Sequence, residues 1–210
     1  VSFHAYDVYL GELGKYSNPN WYSAWDTTGP VLIAKSNYLR SLLDRFGLSD
    51  KFLMNTEVAF ICGRDGREAP CQTDVFEQTK AYYLAQAYAA AISEQLSANI
   101  WYSLNGWRAS ELIDQSGQPL PAFQAMSASA SLLRDMDYSG LVDSGTGVTG
   151  YRFEKDGMRV WLVWSWDGAP HPLWLEQPPD AVLDVYGASL PVDEDQTKIT
   201  IAPLYLIWSP

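Results

Sequence analysis

Positive charge is scarce in this chain. Its 210 residues carry 14 Lys and Arg against 25 Asp and Glu, a formal net charge of −11. Nucleic acid and anionic membrane surfaces are bound through clustered cations, so neither is an expected partner. Long apolar runs are also missing. None approaches the roughly 18 residues that cross a bilayer, and membrane insertion is not expected. There are only two histidines and two cysteines. Their spacing matches no zinc pattern, which leaves no case for a metal cage. No repeat and no low-complexity tract interrupts the chain. It opens on Val1 without an initiator Met or a signal-peptide pattern, as a mature form or an excised piece would.

What the chain does have is apolar and aromatic mass. Apolar residues make up 47% and charged residues 19%, enough for a sizeable core and too ordered a composition for a disordered chain. Nine Trp and thirteen Tyr are more than a core of this size requires, so part of that set is expected on a recognition surface. The two cysteines, Cys62 and Cys71, bracket the polar, turn-rich stretch CGRDGREAPC. It reads as a short disulfide-closed loop, which favours an extracellular or periplasmic setting. Two unpaired thiols in a cytosolic protein are the alternative reading.

The chain divides into units by periodicity. VSFHAYDVYL (residues 1–10) reads as a strand, followed by a long loop rich in Gly, Asn and aromatics. In PVLIAKSNYLRSLLDRFG, the positions Leu32, Leu39, Leu42, Leu43 and Phe46 follow helical spacing, with Pro30 suited to a first turn and Gly47 to a C-terminal cap. KFLMNTEVAF is a nearly continuous apolar strand of the kind covered on both faces of a parallel sheet. DVFEQTKAYYLAQAYAAAISEQL is a helix, with Asp74 and Glu77 at capping-box spacing. ANIWYSLNGW is a third strand and PLPAFQAMSASASLLRDM a third helix. Strand and helix alternate through residues 1–139, which implies βα units on a parallel sheet. From position 140 the texture becomes antiparallel. Two strands flank Lys155-Asp156-Gly157, a hairpin signal, and AVLDVYG, TKITI and PLYLIWS follow as short strands. Residues 140–210 therefore read as a β-sandwich. Asp143 to Gly147 reads as a linker and DEDQ (193–196) as a solvated turn. Trp161, Trp164, Trp166 and Trp174 are expected to pack the sandwich.

Active sites in parallel sheets gather at the carboxyl ends of strands. The first strand presents His4, Tyr6 and Asp7 there, the second Asn55, Thr56 and Glu57, and the third Trp101 and Tyr102, with Trp107 nearby. Alternation puts Ser2, His4 and Tyr6 on one face, and Leu53, Asn55 and Glu57 on one face. A carboxylate inside an apolar strand needs polar partners, which His, Tyr and Asn can supply. A structural pairing of Glu57 with Arg64, Arg67 or Arg108 is the plainer reading.

In order and spacing, FHAYD, MNTEVAF, IWYSL and GQPLPAFQAM resemble the last three βα units of a clan A retaining glycoside hydrolase. VLDVYG and APLYLIWS resemble strands of the sandwich that follows the barrel in its xylosidase and iduronidase branches. The resemblance implies an α/β fold: a partial (β/α)8 TIM barrel, here its last three βα units, and then a β-sandwich. It implies a glycosidase acting on a carbohydrate, with Glu57 as nucleophile and no cofactor. His4, Tyr6 and Asn55 would orient the nucleophile or line the sugar site, and Trp101 would form a platform under the sugar, with a non-proline cis peptide after it. Trp21, Trp25 and Trp107 would wall further subsites.

One element of that family pattern is absent. Its acid/base Glu follows an Asn, and no Asn-Glu pair occurs in the sequence. A full barrel takes about 250 residues, more than precede position 140. Asp7, Glu12, Asp26 and Glu111 are the substitute acids. The expected partners are thus a carbohydrate and either the missing N-terminal barrel portion or a second copy. A non-catalytic carbohydrate-binding protein on a degenerate barrel is the alternative.

Overall fold

The computed structural model of the chain describes residues 1–13, 19–143, 145, 147–192 and 197–210. The DEDQ turn, and part of the linker before Gly147, lie outside the described residues.

Three strands lie parallel in the order of the chain: β1 (Ser2–Leu13), β3 (Met54–Ile61) and β4 (Ala98–Trp101). Helix α1 (Leu32–Arg45) connects the first two and α2 (Asp74–Ser93) the second and third, and α3 (Pro121–Leu133) follows. The alternation read from the sequence is therefore real. The long first loop is more ordered than expected. Within it β2 (Pro19–Tyr22) pairs antiparallel with the distal half of β1, so that Val8 faces Tyr22 and Tyr9 faces Trp21.

The caps follow their residues. Gly47, at φ +68°, ends α1: its N–H donates to Asp44 O at 3.0 Å, and Leu48 N donates to Leu43 O at 2.9 Å, which satisfies two terminal carbonyls. The N-cap of α2 is Thr73, whose hydroxyl accepts from Phe76 N at 3.2 Å, so the predicted Asp74–Glu77 capping box is displaced by a cap one residue earlier.

The second half is antiparallel. A six-stranded sheet is built from β5 (Asp137–Asp143), β6 (Val148–Lys155), β7 (Met158–Ser165), β9 (Ala181–Asp184), β10 (Ser189–Leu190) and β12 (Leu204–Trp208). Strands β8 (His171–Leu173) and β11 (Thr197–Ile199) form a separate two-stranded ribbon. The β6–β7 hairpin turns on Asp156 and Gly157, both at positive φ, as its sequence predicts. Strand β5 begins at Asp137 and so runs across the 139/140 change of texture.

Alternation gives the six-stranded sheet two apolar faces. One face (Tyr151, Phe153, Val160, Leu162, Tyr205) belongs to the same core as Tyr83 and Leu84 of α2 and Ala125 of α3. There Tyr205 OH meets Ser129 Oγ of α3 at 2.8 Å, both groups buried. The other face (Val148, Val163, Val182, Leu206, Trp208) carries Leu173 and Ile199 of the ribbon. Trp161 packs on Trp208 at 5.0 Å on the ribbon face, as expected, whereas Trp164 is buried on the opposite face, in the core shared with the helices. Trp166 and Trp174 do not pack: they are 42% and 69% exposed, because each lies just past a strand end, Trp166 after β7 and Trp174 after β8.

Candidate active site

Glu57 reaches its place through an irregularity in β3. The register against β1 runs Ser2 to Met54 and Phe3 to Asn55, then skips Thr56, so that His4 pairs with Glu57 and Tyr6 with Ala59. On its other side β3 also carries one extra residue, between Asn55–Asn99 and Val58–Trp101. Such a bulge resets which face a side chain takes. Glu57 therefore shares the open face with His4 and Tyr6. Asn55 turns to the helix face, fully buried, where its amide meets that of Asn99 at 2.7 Å. The expectation that Asn55 and Glu57 share a face, with Asn55 in the sugar site, is corrected by the bulge.

Among the described residues, two groups hold the Glu57 carboxylate. Tyr6 OH donates to its Oε2, and His4 Nδ1 lies 3.1 Å from the same oxygen. Burial, then the hydrogen bond to Glu57 and its charge, push the Tyr6 phenol well above its usual range, so Tyr6 remains a donor. The Glu57 side chain is 30% exposed and its His4 partner 53%, which leaves the carboxylate accessible from the open face. Among the described residues, no arginine pairs with Glu57. Arg108 donates to Gly63 O and lies over the Trp107 ring at 5.5 Å.

The aromatic wall is Trp107 and Tyr102. Trp107, 46% exposed, meets Tyr6 edge-on at 5.6 Å and Tyr102 at 6.3 Å. Tyr102 is 39% exposed, and its N–H continues the ladder to Val58 O at 2.8 Å. Trp101 is not the platform: it pairs with Val58 on the helix face, is 7% exposed, and donates from Nε1 to Ser110 O at 2.8 Å. The cis peptide is likewise one residue later than expected, at Tyr102–Ser103. Trp21 is core as well, 2% exposed between Phe60 and Tyr83 at 5.9 and 5.5 Å. Trp25 is exposed, beside Tyr38 at 5.5 Å and beneath Lys35, whose Nζ donates to His4 O at 2.7 Å.

The substitute acids fall elsewhere. Asp7 points to the helix face, fully buried, and accepts from Ser23 Oγ and, at 2.8 Å, from Val31 N. Burial raises its pKa to about 6 against the opposing pull of those bonds. It clamps the start of α1 to β1. Asp26 is exposed in the loop after β2, and the side chain of Glu12 lies outside the described residues. Glu111 is half-buried and gives only its backbone carbonyl to the ammonium of the buried Lys80, whose Nζ donates to Glu77 Oε1 at 2.9 Å, Ala109 O at 3.0 Å and Glu111 O at 2.8 Å. Among the described residues, no three His, Cys, Asp or Glu side chains gather as a metal site. Cys62 and Cys71 form the expected disulfide.

The same architecture occurs in solved glycosidases. A family 39 glycoside hydrolase from Bacteroides cellulosilyticus superposes with a TM-score of 0.64 at 21% identity, over 83% of this chain and 38% of its own. The fold is glycoside hydrolase-like. A β-porphyranase of family 86 from Bacteroides plebeius matches with a TM-score of 0.56 at 12% identity, over 98% of this chain and 40% of its own. A conserved exported protein from Bacteroides fragilis matches with a TM-score of 0.63 at 10% identity, over 84% and 43%. The chain thus spans less than half the length of each of these proteins. No family model matches it, and no curated protein does.

Proposed function

We propose that the chain carries the nucleophile-bearing part of a retaining glycoside hydrolase, with Glu57 as the nucleophile. The observation that carries this is the Glu57 carboxylate on the open face of a parallel sheet, held by Tyr6 and His4 beside the exposed rings of Trp107 and Tyr102. Oε2 takes both partners, which fixes the carboxylate and leaves Oε1 for attack. Oε1 bonds to the anomeric carbon as the glycosidic C–O bond breaks, and a second carboxyl group protonates the departing oxygen. That group then takes a proton from water, whose oxygen attacks the same carbon and frees Glu57. Trp107 and Tyr102 offer apolar faces to the sugar ring.

The second carboxyl group comes, in this reading, from barrel strands beyond these residues. β1, β3 and β4 are then the last three strands of a (β/α)8 barrel, and the matched glycosidases are more than twice as long as the matched span. A disulfide and the exported Bacteroides fragilis neighbour support an extracytoplasmic setting. The missing Asn-Glu pair favours a second reading, a non-catalytic carbohydrate-binding protein.

Hydrolysis of 2,4-dinitrophenyl glycosides separates the two, because this leaving group departs without protonation. Turnover that Glu57→Ala abolishes, and that azide restores as glycosyl azide, supports the nucleophile. An unchanged rate in Glu57→Ala overturns it, and sugar binding without turnover favours the binding reading.

A further inference from the structure

Trp107 stands at the start of an unusual stretch of backbone. Arg108 and Ala109 are consecutive left-handed residues, at φ 54° and 63°, and neither is glycine. Residues with a Cβ occupy this region sparsely and stay there only when their surroundings hold them. The surroundings here are the disulfide-closed loop. Cys62 N donates to Arg108 O at 2.9 Å, and the Arg108 guanidinium donates back to Gly63 O. Gly66 lies so close that a Cβ added to it would sit 2.4 Å from Ala109 N and 2.6 Å from Arg108 C. Gln72 Nε2 fixes that approach by donating to Gly66 O at 2.7 Å.

The loop is itself braced from within. Glu68 turns its carboxylate into the ring closed by Cys62 and Cys71, where it accepts from Arg64 N and, at 3.1 Å, from Gly66 N. On the far side the contacts continue to the site. Trp107 N donates to Ser110 Oγ at 3.1 Å, the Trp107 ring meets Tyr6 at 5.6 Å, and Tyr6 donates to Glu57.

We propose that the Cys62–Cys71 loop is a splint for the Glu57 site: by docking on Arg108 and Ala109 it sets the Trp107 ring beside Tyr6. Gly66 and Arg108 are positioning residues, since they act through Trp107 and touch neither Glu57 nor Tyr6 in the structure. The loop would thus tune how tightly a sugar is held more than how fast the bond to Glu57 forms. The consequence for sugars rests on the proposed glycosidase function, whereas the splint itself does not.

Amide hydrogen exchange on the protein and its Cys62→Ser/Cys71→Ser variant tests the splint without any substrate. Exchange at Trp107, Ser110 and Leu112 should rise at least tenfold, while the amides of β3 and α2 stay within twofold. Gly66→Ala, with the disulfide intact, should reproduce this local rise, and it supplies the test should the double variant fail to fold. Unchanged exchange at those three amides, or an equal rise throughout β3 and α2, overturns the splint. With 2,4-dinitrophenyl glycosides as probe, Gly66→Ala should raise KM at least fivefold and change kcat less than threefold. A local rise in exchange with no turnover by either form leaves the splint standing and counts against the glycosidase reading alone.

Discussion

Asp7 makes stability fall as pH rises, and the structure gives the size of the effect. Its carboxyl group is fully buried on the helix face of β1. Burial raises its pKa from 3.8 to about 6, with Ser23, Val31, Tyr83 and Lys35 pulling the other way. The unfolded chain therefore releases this proton at a lower pH than the folded chain does. The contribution of Asp7 is fully present below about pH 4 and is lost as pH rises through about 6. A shift of this size corresponds to about 3 kcal/mol between those limits. Asp7→Asn removes the titration. It also leaves one acceptor oxygen where Ser23 Oγ and Val31 N–H had two, a loss of about 1–3 kcal/mol that does not depend on pH. Urea unfolding at pH 4, 5, 6 and 7.5 should show the variant gaining on the parent by about 2.5 kcal/mol across the series, since at pH 4 the unfolded carboxyl is already partly ionised. Groups that titrate in both proteins cancel in that difference. Parallel curves for the two proteins would refute the assignment of a buried, proton-holding Asp7.

Two further outcomes follow from the same kind of reading. Lys80 is fully buried and donates to a carboxylate and two carbonyls, so Lys80→Met should lower unfolding free energy by roughly 3–5 kcal/mol in thermal or urea melts. At least nine of the thirteen tyrosines (Tyr6, Tyr9, Tyr82, Tyr83, Tyr88, Tyr138, Tyr151, Tyr186 and Tyr205) are held above their usual pKa, in each case chiefly by burial. Absorbance at about 295 nm should then show only a minority ionised in the folded protein at pH 10.5, and the remainder only on unfolding.

The elements of the fold were legible because periodicity writes them directly. Leu32 to Phe46, the Ala-rich helix after Asp74 and the Asp156-Gly157 hairpin each carry their own local signal. The set His4, Tyr6 and Glu57 was legible too, since each is a polar residue on an apolar strand, although β1 and β3 run on past them to Leu13 and Ile61. What failed was parity. The bulge at Thr56 has no Gly or Pro to mark it, and it exists only through pairing with β1 and β4, so simple alternation put Asn55 on the wrong face. The same parity sends Trp101 to the core and leaves Tyr102 exposed. Trp21 goes to the core because residues 19–22, loop by composition, form β2 against β1. The aromatic stretches on either side of a Gly, Asn and Pro cluster were the available hairpin signal. The buried roles of Asp7 and Lys80 arise from tertiary contacts that no local pattern encodes.

Glu57 is the centre of the functional reading, and covalent trapping tests it most directly. The protein would be incubated with 2,4-dinitrophenyl 2-deoxy-2-fluoro glycosides of several sugars and its intact mass and peptides measured. The fluorine slows breakdown of the glycosyl ester, and the leaving group needs no acid. The account predicts a single added glycosyl mass on the peptide containing Glu57, absent from Glu57→Ala. Turnover of the parent glycosides with the label on another residue, or with Glu57 unmodified, would contradict it.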